Sequence, residues 1–435
     1  MNANLGRVLR AALAMAVLGA AVVGGLLALD RAPDGASAVP TTAADPAAIE
    51  RGRVLALAGN CAGCHSARGG APYAGGRAIA TPFGTVFAGN LTPDPGTGLG
   101  AWTADHFWRA LHHGRGFDGR RLVPAFPYTE TTRITRADSD ALYAWLRTLP
   151  AVAQPNRPHE LRWPYGTPLA LAAWRLLFFT PGEWQDEARR GAEWNRGAYL
   201  VNGAGHCVAC HGGRNALGAT ADAGFGGGLI PTRNWYAPAF TRAAEASVAD
   251  WPLDEIVALL RDGVAPRGRA IGPMAEVVMR STQHLPAADL RAMAVYLKSL
   301  PVEAAAPLPA AEPPDAARVE AGARLFETHC AGCHGAHGEG GVLRDGPERG
   351  RLVMPALAGN RTVTMNPPAN LVRAITLGGF GAVTGGNARP FGMPPFAHVL
   401  TDAQIADIVT WLRRREGAAA VSAFDVARWR GGSDD

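Results

Sequence analysis

Apolar and polar positions along this chain of 435 residues settle into an arrangement that occurs three times. Each occurrence opens with a short amphipathic segment: Glu50-Arg-Gly-Arg-Val-Leu, Arg196-Gly-Ala-Tyr-Leu and Ala321-Gly-Ala-Arg-Leu-Phe. Each closes, roughly a hundred residues later, with an aromatic and leucine stripe: Ala141-Leu-Tyr-Ala-Trp-Leu146, Ala292-Met-Ala-Val-Tyr-Leu297 and Ile408-Val-Thr-Trp-Leu412. Apolar residues three and four apart predict amphipathic helices at all six places. Asp45-Pro46 and Pro314-Asp315 supply start signals, and Thr135 with Asp138 and Thr401 with Gln404 read as N-cap and N3 partners. Leu149-Pro150 and Leu300-Pro301 are stops.

Two apolar stretches fall outside this repeat. Arg7 and Arg10 precede Ala11–Leu29, an uncharged run of nineteen residues. A secretory apolar core is shorter, whereas about 20 apolar residues span a bilayer as a helix. The expectation is an anchor with its positive end inside; cleavage after Ala36-Ser37-Ala38 is the other reading, and either one exports the rest of the chain. The second stretch, Pro168–Phe179, has Thr167 as N-cap and Pro181-Gly182 as a stop. It predicts a three-turn helix that packs its flanking domains together. A patch for a partner or for the membrane surface is the rival reading.

All six cysteines lie in three copies of one pattern: Cys61-Ala-Gly-Cys64-His65, Cys207-Val-Ala-Cys210-His211 and Cys330-Ala-Gly-Cys333-His334. C-x-x-C-H is the signature of covalent haem attachment. Two thiols on one helical turn add to the haem vinyl groups as thioethers, and the adjacent imidazole reaches the iron. A thiol–disulfide centre has no use for a neighbouring His three times over, and a structural zinc site needs further ligands at finger-like spacing. The reading is three covalently bound haem c, with His65, His211 and His334 as proximal metal ligands.

A low-spin carrier takes a sixth ligand, commonly a Met. Met274, in Gly272-Pro273-Met274, lies 63 residues after His211, and Met393, in Gly392-Met393-Pro394, lies 59 after His334. The repeated position assigns both as ligands and leaves Met279, Met293, Met354 and Met365 to packing. The first unit breaks the rule, because Phe126 stands 61 residues after His65, in register, and no Met lies between Val39 and Pro150. The candidates for that iron are His113, His112 and His106, or else the position is open.

Composition refines this picture in two ways. High Gly (54) and Pro (33) point to small domains with long loops between helices. The net charge of +5 comes without a Lys/Arg run, so a nucleic-acid partner is excluded. The fold expectation is all-α: three tandem class I cytochrome c domains after an N-terminal membrane anchor or signal helix. The boundaries are 1–38 signal or anchor, 39–150 domain 1, 151–190 linker with a short helix and 191–301 domain 2. A Pro/Ala linker at 302–314, domain 3 at 315–416 and a C-terminal tail at 417–435 follow.

With these motifs in view, the chain resembles the three-haem cytochrome c subunits of membrane-bound bacterial dehydrogenases, from about Ala47 to Arg415. Asn90-Leu-Thr-Pro-Asp, Gly98-Leu-Gly-Ala-Trp102, the Pro-Ala-Phe-Pro-Tyr run and Gly205-His-Cys-Val-Ala-Cys-His look like family segments. Phe126 departs from members that have Met there, and looks more like the branch paired with molybdenum-type or aldehyde-oxidising partners. The resemblance implies an electron relay on the periplasmic side of the cytoplasmic membrane. A catalytic dehydrogenase subunit (quinoprotein, flavoprotein or molybdenum type) would feed it, and ubiquinone or a terminal oxidase would drain it. The rival functions are a free-standing multihaem carrier and a peroxidase-like enzyme that uses an open first haem.

Overall fold

The structure, a computed structural model, describes residues 24–25, 45–221, 224–303, 315–342 and 352–431. The expected anchor, apart from Gly24–Gly25, and residues 304–314 of the expected second linker lie outside the described residues. Among the described residues no helix is long and apolar enough to cross a membrane. The chain forms two compact units. One comprises residues through Arg53, Cys64–Trp184 and Ala216–Ala219; the other comprises Val54–Gly63, Gln185–Asn215 and Thr220 onward.

Both units are mainly helical, and the helices start where the caps placed them. Pro46–Ala58 opens after Asp45, whose carboxylate accepts from the Ala47 amide at 3.2 Å. Asp315 accepts from the Ala317 amide at the head of Ala316–His329. Thr135 caps Arg136–Leu146, and Thr401 and Gln404 close a full capping box on Asp402–Arg415. Each such cap satisfies amide donors that would otherwise be orphaned, worth about 1 kcal/mol.

One helix crossing appears three times. Each opening helix carries a glycine laid against the backbone of the closing helix. A Cβ on Gly52 would stand 2.0 Å from the Ala141 carbonyl oxygen, on Gly197 1.9 Å from that of Ala292, and on Gly322 2.2 Å from that of Asp407. The same virtual atoms lie 2.9, 3.0 and 3.0 Å from the Cβ atoms of Trp145, Tyr296 and Trp411. Close approach of two helix axes requires the missing side chain, and the aromatic stripe packs over the gap. The glycines precede their first cysteines by nine, ten and eight residues. In the second case a π-helical turn, Leu200–Ala204, absorbs the extra length.

The all-α expectation is met at the level of a mainly helical chain, but short antiparallel ribbons are added. Ala78–Thr81, Gly84–Phe87 and Glu160–Leu161 form a three-stranded sheet. Among the described residues, four two-stranded ribbons lie in the other loops, Gly379–Phe380 with Gly392–Met393 one of them. These strands are mostly two residues long and glycine-rich, so no alternating pattern announces them. The residues expected as a tail hold a further helix, Ala423–Arg430, capped by Ser422 and Asp425, with Val426 and Trp429 buried. Buried Arg373 donates to the Gly431 carbonyl at 2.9 Å and fastens that helix to the core of the second unit.

Pro168–Phe178 forms as expected, with Thr167 as cap and Pro168 in its first turn. It packs in the first unit through Leu171, Ala172 and Arg175, and Arg175 lies 5.2 Å from the Tyr128 ring and 4.8 Å from that of Phe179. Leu177 and the preceding Trp163 stay exposed, at 69% and 86%.

The repeated crossing generates a test. Gly197→Ala gains helix propensity but places a methyl on the Ala292 carbonyl, so net destabilisation of about 2 kcal/mol is expected. Gly182→Ala, where nothing lies within 4 Å, should change stability by less than about 0.5 kcal/mol. Thermal unfolding followed by circular dichroism compares the two; equal melting temperatures would refute the crossing.

Candidate haem-attachment sites

Each C-x-x-C-H segment is a short turn of helix: Cys61–His65, Val208–His211 and Ala331–His334. The three histidines at their ends share one environment. His65 Nδ1 lies 2.7 Å from the Gly89 carbonyl oxygen, His211 Nδ1 2.7 Å from that of Pro238, and His334 Nδ1 3.0 Å from that of Pro355. A carbonyl only accepts, so each Nδ1 carries the proton and each Nε2 presents a bare lone pair. Burial lowers the pKa of all three rings, against the opposing pull of those carbonyls, with His211 pushed down to about 4. Neutral imidazole with its second nitrogen fixed by a carbonyl is the state that binds a metal.

The carbonyl is itself held by a second repeated device. The backbone oxygen of each histidine accepts from a glycine amide: Gly75 at 2.7 Å, Gly227 at 2.8 Å and Gly340 at 2.8 Å. These glycines have φ of +79°, +76° and +82°. Each lies flat against the peptide that receives the histidine proton. A Cβ on Gly75 would be 2.7 Å from the Asn90 nitrogen, on Gly227 2.7 Å from that of Ala239, and on Gly340 2.8 Å from that of Ala356. Only glycine tolerates both the left-handed backbone and that approach.

The cysteines fit haem attachment better than their rivals. None of the six forms a disulfide, and Cys64, Cys210 and Cys333 are exposed. Burial, aided by the second cysteine of each pair, pushes the Cys207 thiol up to about 12 and the Cys330 thiol up to about 11. Among the described residues no group of three or more His, Cys, Asp or Glu is arranged around a bare metal ion. A thiol pair beside an imidazole whose Nδ1–H is already spent on a carbonyl suits a metal that arrives inside its own macrocycle.

The other expected ligands fall in varied settings. Met274 is in the first turn of Pro273–Arg280 and packs half-buried against Ala270, Ala275, Val278 and Ala382. Gly272 before it has φ +52° and sits on the Trp235 ring. Met393 lies on a strand opposite Gly379, half-buried against the core of the second unit. Met293 and Met365 are buried in cores, in keeping with packing.

The three histidines proposed for the first iron's sixth position share the Ala104–His113 helix but not one role. His106 is the N3 partner of a capping box, with its Nδ1 accepting from the Thr103 amide at 3.1 Å. His112 is buried, donates to the Thr132 carbonyl at 2.8 Å and stacks on Trp108. His113 sits edge-on to His112 at 4.6 Å, before left-handed Gly114. Burial first, then His112, Arg175, Arg115 and Arg109, lower its pKa to about 4.

Sequence reading missed the receiving carbonyls and the crossing glycines. A signal exists for the carbonyls: Pro238-Ala239 and Pro355-Ala356 recur after their motifs. Gly89-Asn90 breaks that pattern in the first unit.

Comparison with known proteins agrees with this geometry. The family model described as Cytochrome c matches residues 49–150 and 319–416. The alcohol dehydrogenase (quinone) cytochrome c subunit of Gluconobacter oxydans is 36% identical, over 89% of this chain and 83% of that protein. The gluconate 2-dehydrogenase cytochrome c subunit of Pantoea cypripedii is 33% identical, over 89% and 90%. A nicotinate dehydrogenase subunit of Pseudomonas putida is 40% identical over 88% of this chain, which spans only 31% of that longer protein. Near-complete coverage of the first two at these identities, on a chain whose C-x-x-C-H helices share one histidine environment, places it in the family of dehydrogenase cytochrome c subunits, electron-transfer proteins that carry covalent haem c.

Proposed function

We propose that the chain is a three-haem relay built of three cytochrome c domains, at 39–150, 191–301 and 315–416. The supporting observation is the threefold recurrence of one site: a thiol pair, a histidine whose Nδ1–H is spent on a carbonyl, and a left-handed glycine laid over that carbonyl's peptide. The family model matches the first and last of these segments. The middle one repeats their helix crossing and their histidine geometry.

Cys61 and Cys64, Cys207 and Cys210, and Cys330 and Cys333 would hold the haems as thioethers. His65, His211 and His334 would ligate the irons, and Met274 and Met393 would supply a second protein ligand in the second and third domains. Haem c supplies one-electron ferric–ferrous cycling at a potential tuned by its ligands and their hydrogen bonds. The protein's part is to fix each histidine ring and to keep its Nε2 available.

In the first domain the methionine register carries Phe126. Of the three candidate histidines there, His106 uses its Nδ1 in a helix cap and His112 donates its Nδ1–H to a backbone carbonyl. His112 keeps its Nε2 free just as the proximal histidines do, and the His113 side chain has no hydrogen-bond partner among the described residues, so these two are the donors proposed for the sixth position. Without a histidine there the first iron would be five-coordinate, which is the peroxidase-like reading.

The physiological setting follows the relatives, whose names pair them with alcohol, gluconate and nicotinate dehydrogenases. This chain would accept electrons from a periplasmic dehydrogenase catalytic subunit and deliver them to ubiquinone or a terminal oxidase. The Arg-flanked apolar run at Ala11–Leu29 would hold it at the membrane. A free-standing carrier is the rival, and co-purification with a dehydrogenase subunit whose substrate reduces the haems separates the two.

Two outcomes are expected. Met274→Ala and Met393→Ala should each lower the potential of one haem or turn it high-spin, with the other haems unmoved, in a spectroelectrochemical titration. If either variant leaves every haem unaltered, that ligand is misassigned. Electron paramagnetic resonance of the oxidised protein should show a low-spin bis-nitrogen centre that one of His112→Ala and His113→Ala removes. A high-spin centre that binds cyanide in the unaltered protein would instead establish the open first haem.

A further inference from the structure

The three peptides that receive the proximal histidine protons are alike in their carbonyls but differ in what their N–H groups meet. In the first domain the amide beyond the carbonyl, Asn90 N–H, donates to the neutral side-chain oxygen of Asn156 at 2.8 Å. In the third, the Ala356 amide finds no acceptor among the described residues. In the second, the Ala239 amide donates to the Oε2 of Glu245 at 2.7 Å. Glu245 is buried, at 8% exposure, and its Oε2 also accepts from the Tyr236 hydroxyl at 2.9 Å. Its other oxygen meets Arg242 at 3.1 Å, and the half-exposed Arg242 is shared with Glu303.

The peptide between these groups is held rigidly from both ends. Tyr236, two residues before Pro238, exchanges two hydrogen bonds with Asn370: its amide donates to Oδ1 at 2.9 Å, and its carbonyl accepts from Nδ2 at 2.8 Å. Both residues are buried. Beyond the peptide, Ala246 N–H donates to the Ala239 carbonyl at 3.0 Å and closes the loop that carries Glu245. The His211 ring stacks on Phe240 at 4.1 Å.

We propose that Glu245 is a positioning residue that sets the electronic character of the second haem's proximal histidine through the Pro238–Ala239 peptide. This deepens, and rests on, the reading of His211 as an iron ligand. The chain of contacts is His211 Nδ1–H to the Pro238 carbonyl, then Ala239 N–H to the Glu245 carboxylate. Hydrogen bonds in series polarise one another. An anion on the amide side makes the carbonyl a stronger acceptor, the imidazole a stronger donor to iron, and the ferric state more stable. Glu245 therefore lowers the potential of the second haem below what the same ligands give with a neutral partner such as Asn156. Arg242 offsets part of the charge, so the two side chains pull in opposite directions.

Glu245→Gln keeps an acceptor oxygen and removes the charge. In a spectroelectrochemical titration of the full holoprotein, one haem wave should move positive, the other two should stay, and the methionine–iron charge-transfer band should be retained. Arg242→Gln leaves Glu245 unscreened and should move the same wave negative. This reversal of sign is one that a purely structural role does not produce, and it keeps the test decisive if Glu245→Gln folds poorly. Three attached haems with every wave unmoved in both variants would overturn the proposal and leave the ligand reading intact. Fewer than three haems in the unaltered protein would sink the reading beneath it.

Discussion

One hydrogen bond organises this molecule: the proximal histidine Nδ1–H to a backbone carbonyl, made by His65, His211 and His334 to Gly89, Pro238 and Pro355. Without it a buried imidazole would have to leave a donor unsatisfied, at a cost of about 1–3 kcal/mol. Its ring would also be able to turn and to change tautomer. The carbonyl has to arrive from 21 to 27 residues downstream, and the chain must fold back over it. That return accounts for the left-handed glycines, for the short ribbons beside them, and for loops that carry little regular structure of their own.

In the second unit the two motif-bearing segments are locked to each other by contacts that leave little play. Asn370 pairs with Tyr236 in the manner of a strand. A Cβ on Gly386 would stand 2.4 Å from the Asp262 carboxylate, and Arg361 donates to the Ser247 carbonyl at 2.6 Å. Buried Arg413 holds the Val363 and Met365 carbonyls, each at 2.7 Å, and burial lowers its pKa only to about 10, so it stays charged at neutral pH. Electron transfer rewards such rigidity, because redox centres held at fixed separation need little reorganisation of their surroundings to exchange an electron. Asn370, from one segment, holds the Tyr236 backbone, and Glu245, from the other, holds the Ala239 amide three residues on.

What the sequence made legible is chemistry with a short-range signature. The Cys and His triplets sit within five residues, and the caps at Thr135, Thr167, Asp315 and Thr401 sit within three residues of their partners. The Pro168–Phe178 helix is readable from its own cap and stop. What escapes depends on distant approach. Gly197 looks like an ordinary helical blemish until Ala292 is laid against it, and Glu245 looks like a surface acid until Ala239 turns its amide inward. The Ala423–Arg430 helix reads as a tail because it is short and bounded by glycine and alanine, although Ser422 and Asp425 form a capping box. The sixth position of the first haem escapes for a different reason: Phe126 keeps the register and discards the ligand, so spacing offers no substitute.

The most direct test of the central claim is the intact mass of the protein, made in a host that attaches haem c, with peptide mapping of the modified cysteines. The account predicts three haem adducts per chain, one each on Cys61–Cys64, Cys207–Cys210 and Cys330–Cys333. A chain that carries two adducts, with one of these pairs left as unmodified thiols, would contradict it.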